Sequence, residues 1–166
     1  MGFLLRPVRT LVLAVLGGLL LTSLVPDAFG WHTTVVMSGS MAPAVQPGDM
    51  IIAAPLHAAD ASRLAKGTVL LVADPTHPGS LLLHRLVGWD ARGRIITKGD
   101  ASKSADSTHL RPEALVGQAR LRIPKIGLPV LWVRERQKVP LACLGAFLLL
   151  LFVGVPWPRP RPAPRR

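Results

Sequence analysis

Thr33-Thr34-Val35-Val36-Met37-Ser38-Gly39-Ser40-Met41-Ala42-Pro43 decides how the rest of the chain is read. Its first half is rich in β-branched residues, which favour an extended backbone. Its second half sets two hydroxyls around a glycine, where another backbone can approach closely, and Pro43 stiffens the exit. A serine hydrolase needs a hydroxyl on a constrained backbone, a base within reach, a group that orients the base and donors for the oxyanion. Ser-Gly-Ser alone is a weak signal, more often a polar turn between strands than a nucleophile.

Working outward, Thr68-Val69-Leu70-Leu71-Val72 and residues 81–87, 94–97 and 115–123 have strand composition. Pro47-Gly48-Asp49 reads as a turn leading into Met50-Ile51-Ile52, with Asp49 a turn residue, and residues 75–79 as a loop. Only residues 58–66 suggest a helix in this region, and no internal repeat is present. The middle of the chain is therefore expected to be a small, mainly β domain.

The ends differ in character. Residues 10–25 are almost wholly apolar and follow Arg6 and Arg9. Extended from Phe3, this run approaches the roughly 20 residues of a membrane span. Ala28-Phe29-Gly30 equally offers small residues spaced for cleavage of a signal peptide, so both readings stay open at this point. Residues 139–157 carry no charge and suffice to cross a bilayer. The Pro/Arg-rich residues 158–166 cannot bury a core. The expected plan is a cytoplasmic stub and anchor over 1–30, an extracytoplasmic β domain over 31–138, a second transmembrane helix over 139–157 and a cytoplasmic tail over 158–166. Arg134, Arg136 and Lys138 lie just outside the second span and weaken the charge signal for this orientation.

Composition narrows the function. Of 166 residues 49% are hydrophobic, which favours membrane segments over an ordinary soluble domain. The net charge of +11 clusters in part beside the apolar runs, where it suits anionic headgroups. No nucleic-acid motif accompanies it and tyrosine is absent, so nucleic acid is not an expected partner. One cysteine, Cys143, excludes an intrachain disulfide. His32, His57, His77 and His109 lack ligand spacing, so no metal or other cofactor is expected.

Set in order, several segments carry a resemblance. Val35 to Pro43 with Gln46-Pro47-Gly48-Asp49 resembles the serine box of type I signal peptidases. Leu83-His84-Arg85-Leu86-Val87 resembles the base box of the endoplasmic-reticulum-type branch, which also occurs in bacteria and uses histidine in place of lysine. Thr97-Lys98-Gly99-Asp100, with Asp106 further on, resembles that branch's aspartate box. Leu115-Val116-Gly117-Gln118-Ala119-Arg120 and Ile123-Pro124-Lys125-Ile126-Gly127 resemble its closing region. The matches follow the family's order across most of residues 33–130.

The resemblance implies a signal-peptidase-like β domain flanked by two transmembrane helices. It implies Ser40 as nucleophile, His84 as general base and Asp106 as the acid orienting it. Ser38 would line the oxyanion hole, Asp100 would be a second acid with a structural role, and Met41 would touch the substrate's small side chains. Ala101 stands where the family often has asparagine, which removes any role for that amide. Each residue also has a plainer reading. A histidine in an apolar strand is often a satisfied core residue, and Asp100 and Asp106 suit turns. Lys66, Lys98 and Lys103 would serve a serine–lysine dyad, but none lies in the base box. A histidine general base implies activity rising over about pH 6–7, and a lysine base a rise above about pH 8.

The implied activity is serine endopeptidase cleavage of signal peptides from exported preproteins, after small residues at the −1 and −3 positions. The implied partners are preproteins and membrane lipids, with accessory subunits left open. The arginine, alanine and proline bias points to a bacterial plasma membrane. The competing reading is a catalytically silent, membrane-anchored β domain that binds exported proteins.

Overall fold

The computed structural model describes residues 29–153 continuously, together with Thr10 and residues 12–14 and 17–18, which are helical. Six strands form one antiparallel sheet: β1 (His32–Val35), β2 (Met50–Pro55), β3 (Val69–Ala73), β4 (Leu81–Trp89), β5 (Ile95–Lys98) and β6 (Leu115–Ile123), in the order β1-β2-β6-β3-β4-β5. The mainly β reading therefore holds. Every strand anticipated from composition is present, with ends shifted by a residue or two in most, and β2 continues from Met50 to Pro55.

The apolar run in β3 has a physical reason. β3 is central, and its side chains alternate between two cores. Leu71 packs with Val36, Met41, Val45, Ile51, Ala53 and Leu83. Leu70 and Val72 face the other way, packing with Ala61, Leu86, Ile95, Leu110 and Leu115. A strand buried on both faces has no solvent side on which to place polar residues. Bulges at Ile52/Ala53, Leu71/Val72 and Leu86/Gly88 interrupt the pairing, and such bulges increase local twist.

Residues 37–47 form a loop closed at its base. The Val36 N–H donates to the Asp49 carbonyl and the Gly48 N–H to the Val36 carbonyl, each across 2.8 Å. Asp49, read above as a turn residue, is a buried anchor. Its carboxylate accepts the N–H groups of Gln46 and Lys125, each at 3.0 Å, tying the loop to the segment after β6. Gly48 suits that base because its φ of +86° lies in the left-handed region, where a side chain would be strained.

Residues 58–66, expected as the one helical stretch, contain a short 3-10 helix, Ala58–Arg63. A second short 3-10 turn, Pro112–Ala114, leads into β6. Helix α1 (Leu128–Arg134) was not anticipated, because seven residues opening Leu-Pro are too short for a 3.6-residue period to show. Helix α2 (Lys138–Val153) occupies the second apolar run, starting where the β domain was expected to end. Among the described residues no helix is long and apolar enough to cross a membrane. Most of residues 1–28, and residues 154–166 with the Pro/Arg tail, lie outside the described residues.

Candidate active site

β4 carries His84 among apolar neighbours. In the register Leu70 opposes His84 and Thr97 opposes Leu86. Opposed residues share a face, so His84, Leu86 and Thr97 project to the same side of the sheet. His84 is 7% exposed and Thr97 fully buried. Beyond β5 the chain runs without regular structure through residues 99–109, and this segment returns Asp106 to the sheet. The Asp106 N–H donates to the Thr97 carbonyl across 2.8 Å.

The Nδ1 of His84 donates to Oδ2 of Asp106 at 2.6 Å, between residues 22 positions apart. The hydroxyl of Thr97 donates to the same oxygen, also at 2.6 Å. A proton held on Nδ1 leaves Nε2 as the imidazole's acceptor. That Nε2 is buried and makes no hydrogen bond among the described residues.

Ser40 reaches the same place from the closed loop. Its carbonyl accepts the N–H of Ala101 across 2.9 Å, which docks the serine segment on the aspartate segment. Ala42 N–H donates to the Gly39 carbonyl and Val45 N–H to the Met41 carbonyl, fixing the turn on either side of Ser40. The Ser40 and Ser38 hydroxyl oxygens are 3.2 Å apart. Gly99 gives the tightest measure of convergence. A Cβ built on it would lie 2.6 Å from the Ser40 carbonyl oxygen, 3.1 Å from His84 Nε2 and 3.1 Å from Ser102 Oγ. One point is thus in contact with the backbone of Ser40 and the free nitrogen of His84.

The remaining candidates separate. Asp100 is bound by Arg85, whose Nε and Nη2 donate to its two oxygens at 2.8 and 2.6 Å. This forked ion pair holds the Asp100 carboxyl below the usual carboxylate range, chiefly through the hydrogen bonds from Arg85, and raises the Arg85 guanidinium. Arg85 also donates to the Gly67 carbonyl at 2.7 Å. Met41 is 1% exposed and belongs to the core beneath Ser40. Of the lysines, the Lys98 ammonium donates to the Lys103 carbonyl at 3.4 Å.

A groove of about 580 Å³ runs from Ser38, Ser40 and Met41 between two walls. One wall is β1 with Val36 and Met37, and the other is residues 79–83 at the start of β4. Leu71 also lines it, Asp74 contributes from the β3–β4 connection, and Val130 and Arg134 come from α1. β1 is the terminal strand of the sheet, paired among the described residues only with β2. A terminal strand beside a groove can take up an extended chain by strand addition.

A serine that lines a cleft, close to a buried histidine hydrogen-bonded to a half-buried aspartate, is the side-chain inventory of acyl-transfer hydrolases. No family model matches the chain. It is 30% identical over 132 residues to the signal peptidase complex catalytic subunit SEC11 of Eremothecium gossypii, covering 72% of this chain and 76% of that protein. The chain belongs to the signal peptidase family of that catalytic subunit.

Proposed function

We propose that this chain is a membrane-anchored serine endopeptidase that removes signal peptides from exported preproteins, cutting after small residues. The observation that carries this reading is the hydrogen-bonded pair of buried His84 and half-buried Asp106, with His84 Nε2 and the Ser40 backbone converging on Gly99. Likeness to a protein named as a signal peptidase complex catalytic subunit supports the substrate class.

In the proposed mechanism Ser40 Oγ attacks the scissile carbonyl while His84 Nε2 takes its proton. Asp106 holds the imidazole with the proton on Nδ1 and stabilises the imidazolium that forms. The tetrahedral oxyanion is met by the Ser40 N–H and the Ser38 hydroxyl. Collapse expels the amine, protonated by His84, and leaves an acyl-enzyme on Ser40. Water activated by His84 then releases the acyl product. The Ser40 hydroxyl lies 3.2 Å from that of Ser38 and Nε2 has no hydrogen-bond partner among the described residues, so the proposed proton transfer requires the Ser40 side chain to turn from Ser38 toward Nε2.

The groove suits an extended peptide lying against β1. Val35, Leu81, Leu82 and Val130 give its accessible lining an apolar character, and shallow apolar pockets reject bulk by steric clash, as selection for small residues requires. The proposed plan keeps residues 31–138 outside a plasma membrane of bacterial type, with anchors over 1–30 and 139–157 and a cytoplasmic tail over 158–166. Tethering there would raise the effective concentration of enzyme at a cleavage site on the same surface. Preproteins and lipids are the proposed partners. The SEC11 protein is named as a subunit of a complex, which supports a search for accessory subunits.

The test is cleavage of a labelled preprotein with an Ala-x-Ala site, in liposomes, by wild type and by Ser40→Ala, His84→Ala and Asp106→Ala. Cleavage after the small residue by wild type, with activity lost in all three variants, supports the reading. An unreduced rate in Ser40→Ala overturns it. A binding domain without catalysis would retain the preprotein uncut.

A further inference from the structure

We propose that Thr97 is the positioning residue of this site: its buried hydroxyl and its carbonyl together set the Asp106 carboxylate against His84. The proposal rests on the reading of His84 as base and Asp106 as its orienting acid.

Asp106 lies in a segment without regular structure, eight positions beyond the end of β5 by number. A loop acid has no ladder of its own to fix its backbone or the rotation of its carboxylate. Thr97 supplies both restraints. Its carbonyl accepts the Asp106 N–H at 2.8 Å, and its hydroxyl donates to Oδ2 at 2.6 Å. Oδ2 is also the oxygen that accepts from His84 Nδ1 at 2.6 Å. Two donors on one oxygen decide which oxygen faces the imidazole and at what angle.

The anchor itself is rigid. Thr97 is fully buried, its β-branched side chain is stiff at χ1, and it is paired with Leu86, two residues along β4 from His84. The strand register therefore transmits the position of His84 to Thr97, and Thr97 imposes it on Asp106. Removal of the hydroxyl would take one of the two donors from Oδ2 and leave the carboxylate freer to turn, and the Nδ1 bond would lose its alignment.

The experiment uses the full chain in liposomes with Thr97→Val, Thr97→Ala, Thr97→Ser, Asp106→Ala and the Thr97→Val/Asp106→Ala pair. The readouts are cleavage of the labelled preprotein and the rate of Ser40 acylation by an active-site acylating inhibitor. Expected is a fall in kcat of about tenfold or more for Thr97→Val and Thr97→Ala, with KM within about twofold. Thr97→Ser should recover most of the rate, and Thr97→Val should add less than about twofold to the Asp106→Ala loss. An unchanged kcat in the Val and Ala variants overturns the assignment. So does a serine variant as impaired as valine, or a valine loss that multiplies in full on Asp106→Ala, since either marks a packing role. Thr97→Ala decides where valine prevents folding. Full activity in Asp106→Ala would overturn the triad reading underneath, and Thr97's role with it.

Discussion

Arg85 grips Asp100 through two hydrogen bonds of 2.8 and 2.6 Å, one residue along β4 from His84, which grips Asp106 at 2.6 Å. Adjacent residues of one strand project to opposite faces, so the two acids of the aspartate segment are divided between two jobs. The first ties the segment to the sheet, and the second meets the imidazole.

That division predicts distinct phenotypes. Asp100→Asn should lower stability by about 1–2 kcal/mol, because it strips a half-buried guanidinium of its forked partner. Asp106→Asn should leave the unfolding temperature nearly unchanged and lower turnover by on the order of a hundredfold or more. Thermal unfolding and turnover measured on the same preparations check both. Equal stability losses in the two variants would refute the division.

The pH dependence of stability follows from the same ion pair. Arg85 depresses the Asp100 carboxyl, so Asp100's contribution is full above its unfolded value of about 3.9 and is lost as pH falls through the folded value. The stability gap between wild type and Asp100→Asn should therefore be present at pH 6 and shrink steadily below about pH 4. Asp90 is held down similarly, first by its hydrogen bond to His109. Asp74 is lowered to about 2, first by the Thr76 hydroxyl. Neither of these groups is changed by the substitution. Denaturant titrations at several pH values give the gap directly, and a gap independent of pH would contradict the assignment.

Gly99 admits no side chain. A methyl would meet the Ser40 carbonyl at 2.6 Å, where the obstacle is backbone and cannot swing aside. Gly99→Ala should push the serine segment from His84 and reduce turnover by about a hundredfold or more, at a cost of about 1–3 kcal/mol in stability. A kinetic assay alongside thermal unfolding checks it, and wild-type turnover in Gly99→Ala would show that the convergence is looser than described.

Asp49 acts at a distance from the reacting atoms. Asp49→Ala would orphan the N–H groups of Gln46 and Lys125 and release the base of the serine loop. A loss of about 2–3 kcal/mol is expected, with faster proteolysis within residues 37–47. Limited proteolysis and unfolding curves test this, and unchanged protection of the loop would contradict it.

Much of this was legible in the sequence because strands with a buried face write themselves in β-branched residues, as Thr33-Thr34-Val35-Val36 and Thr68-Val69-Leu70-Leu71-Val72 do. The serine, base and aspartate segments were legible as ordered motifs. What stayed hidden depends on contacts between distant residues. The pairing of β2 with β6 and of β3 with β6 cannot be read from either strand alone. Asp49 looked like any turn aspartate, since only folding brings Lys125 to it. Thr97 looked like a β-forming residue in a motif, and its hydroxyl gains meaning only when residues 99–109 fold back. Helix α1 was too short to show a period.

The central claim is that Ser40 becomes acylated with His84 as its base. The most direct measurement is to treat the full chain with an acylating inhibitor and locate the adduct by mass spectrometry, in wild type and in His84→Ala. An adduct on Ser40, formed on the order of a hundredfold or more slower in His84→Ala, is the predicted result. An adduct on another residue, or one on Ser40 that forms as fast without His84, would contradict it.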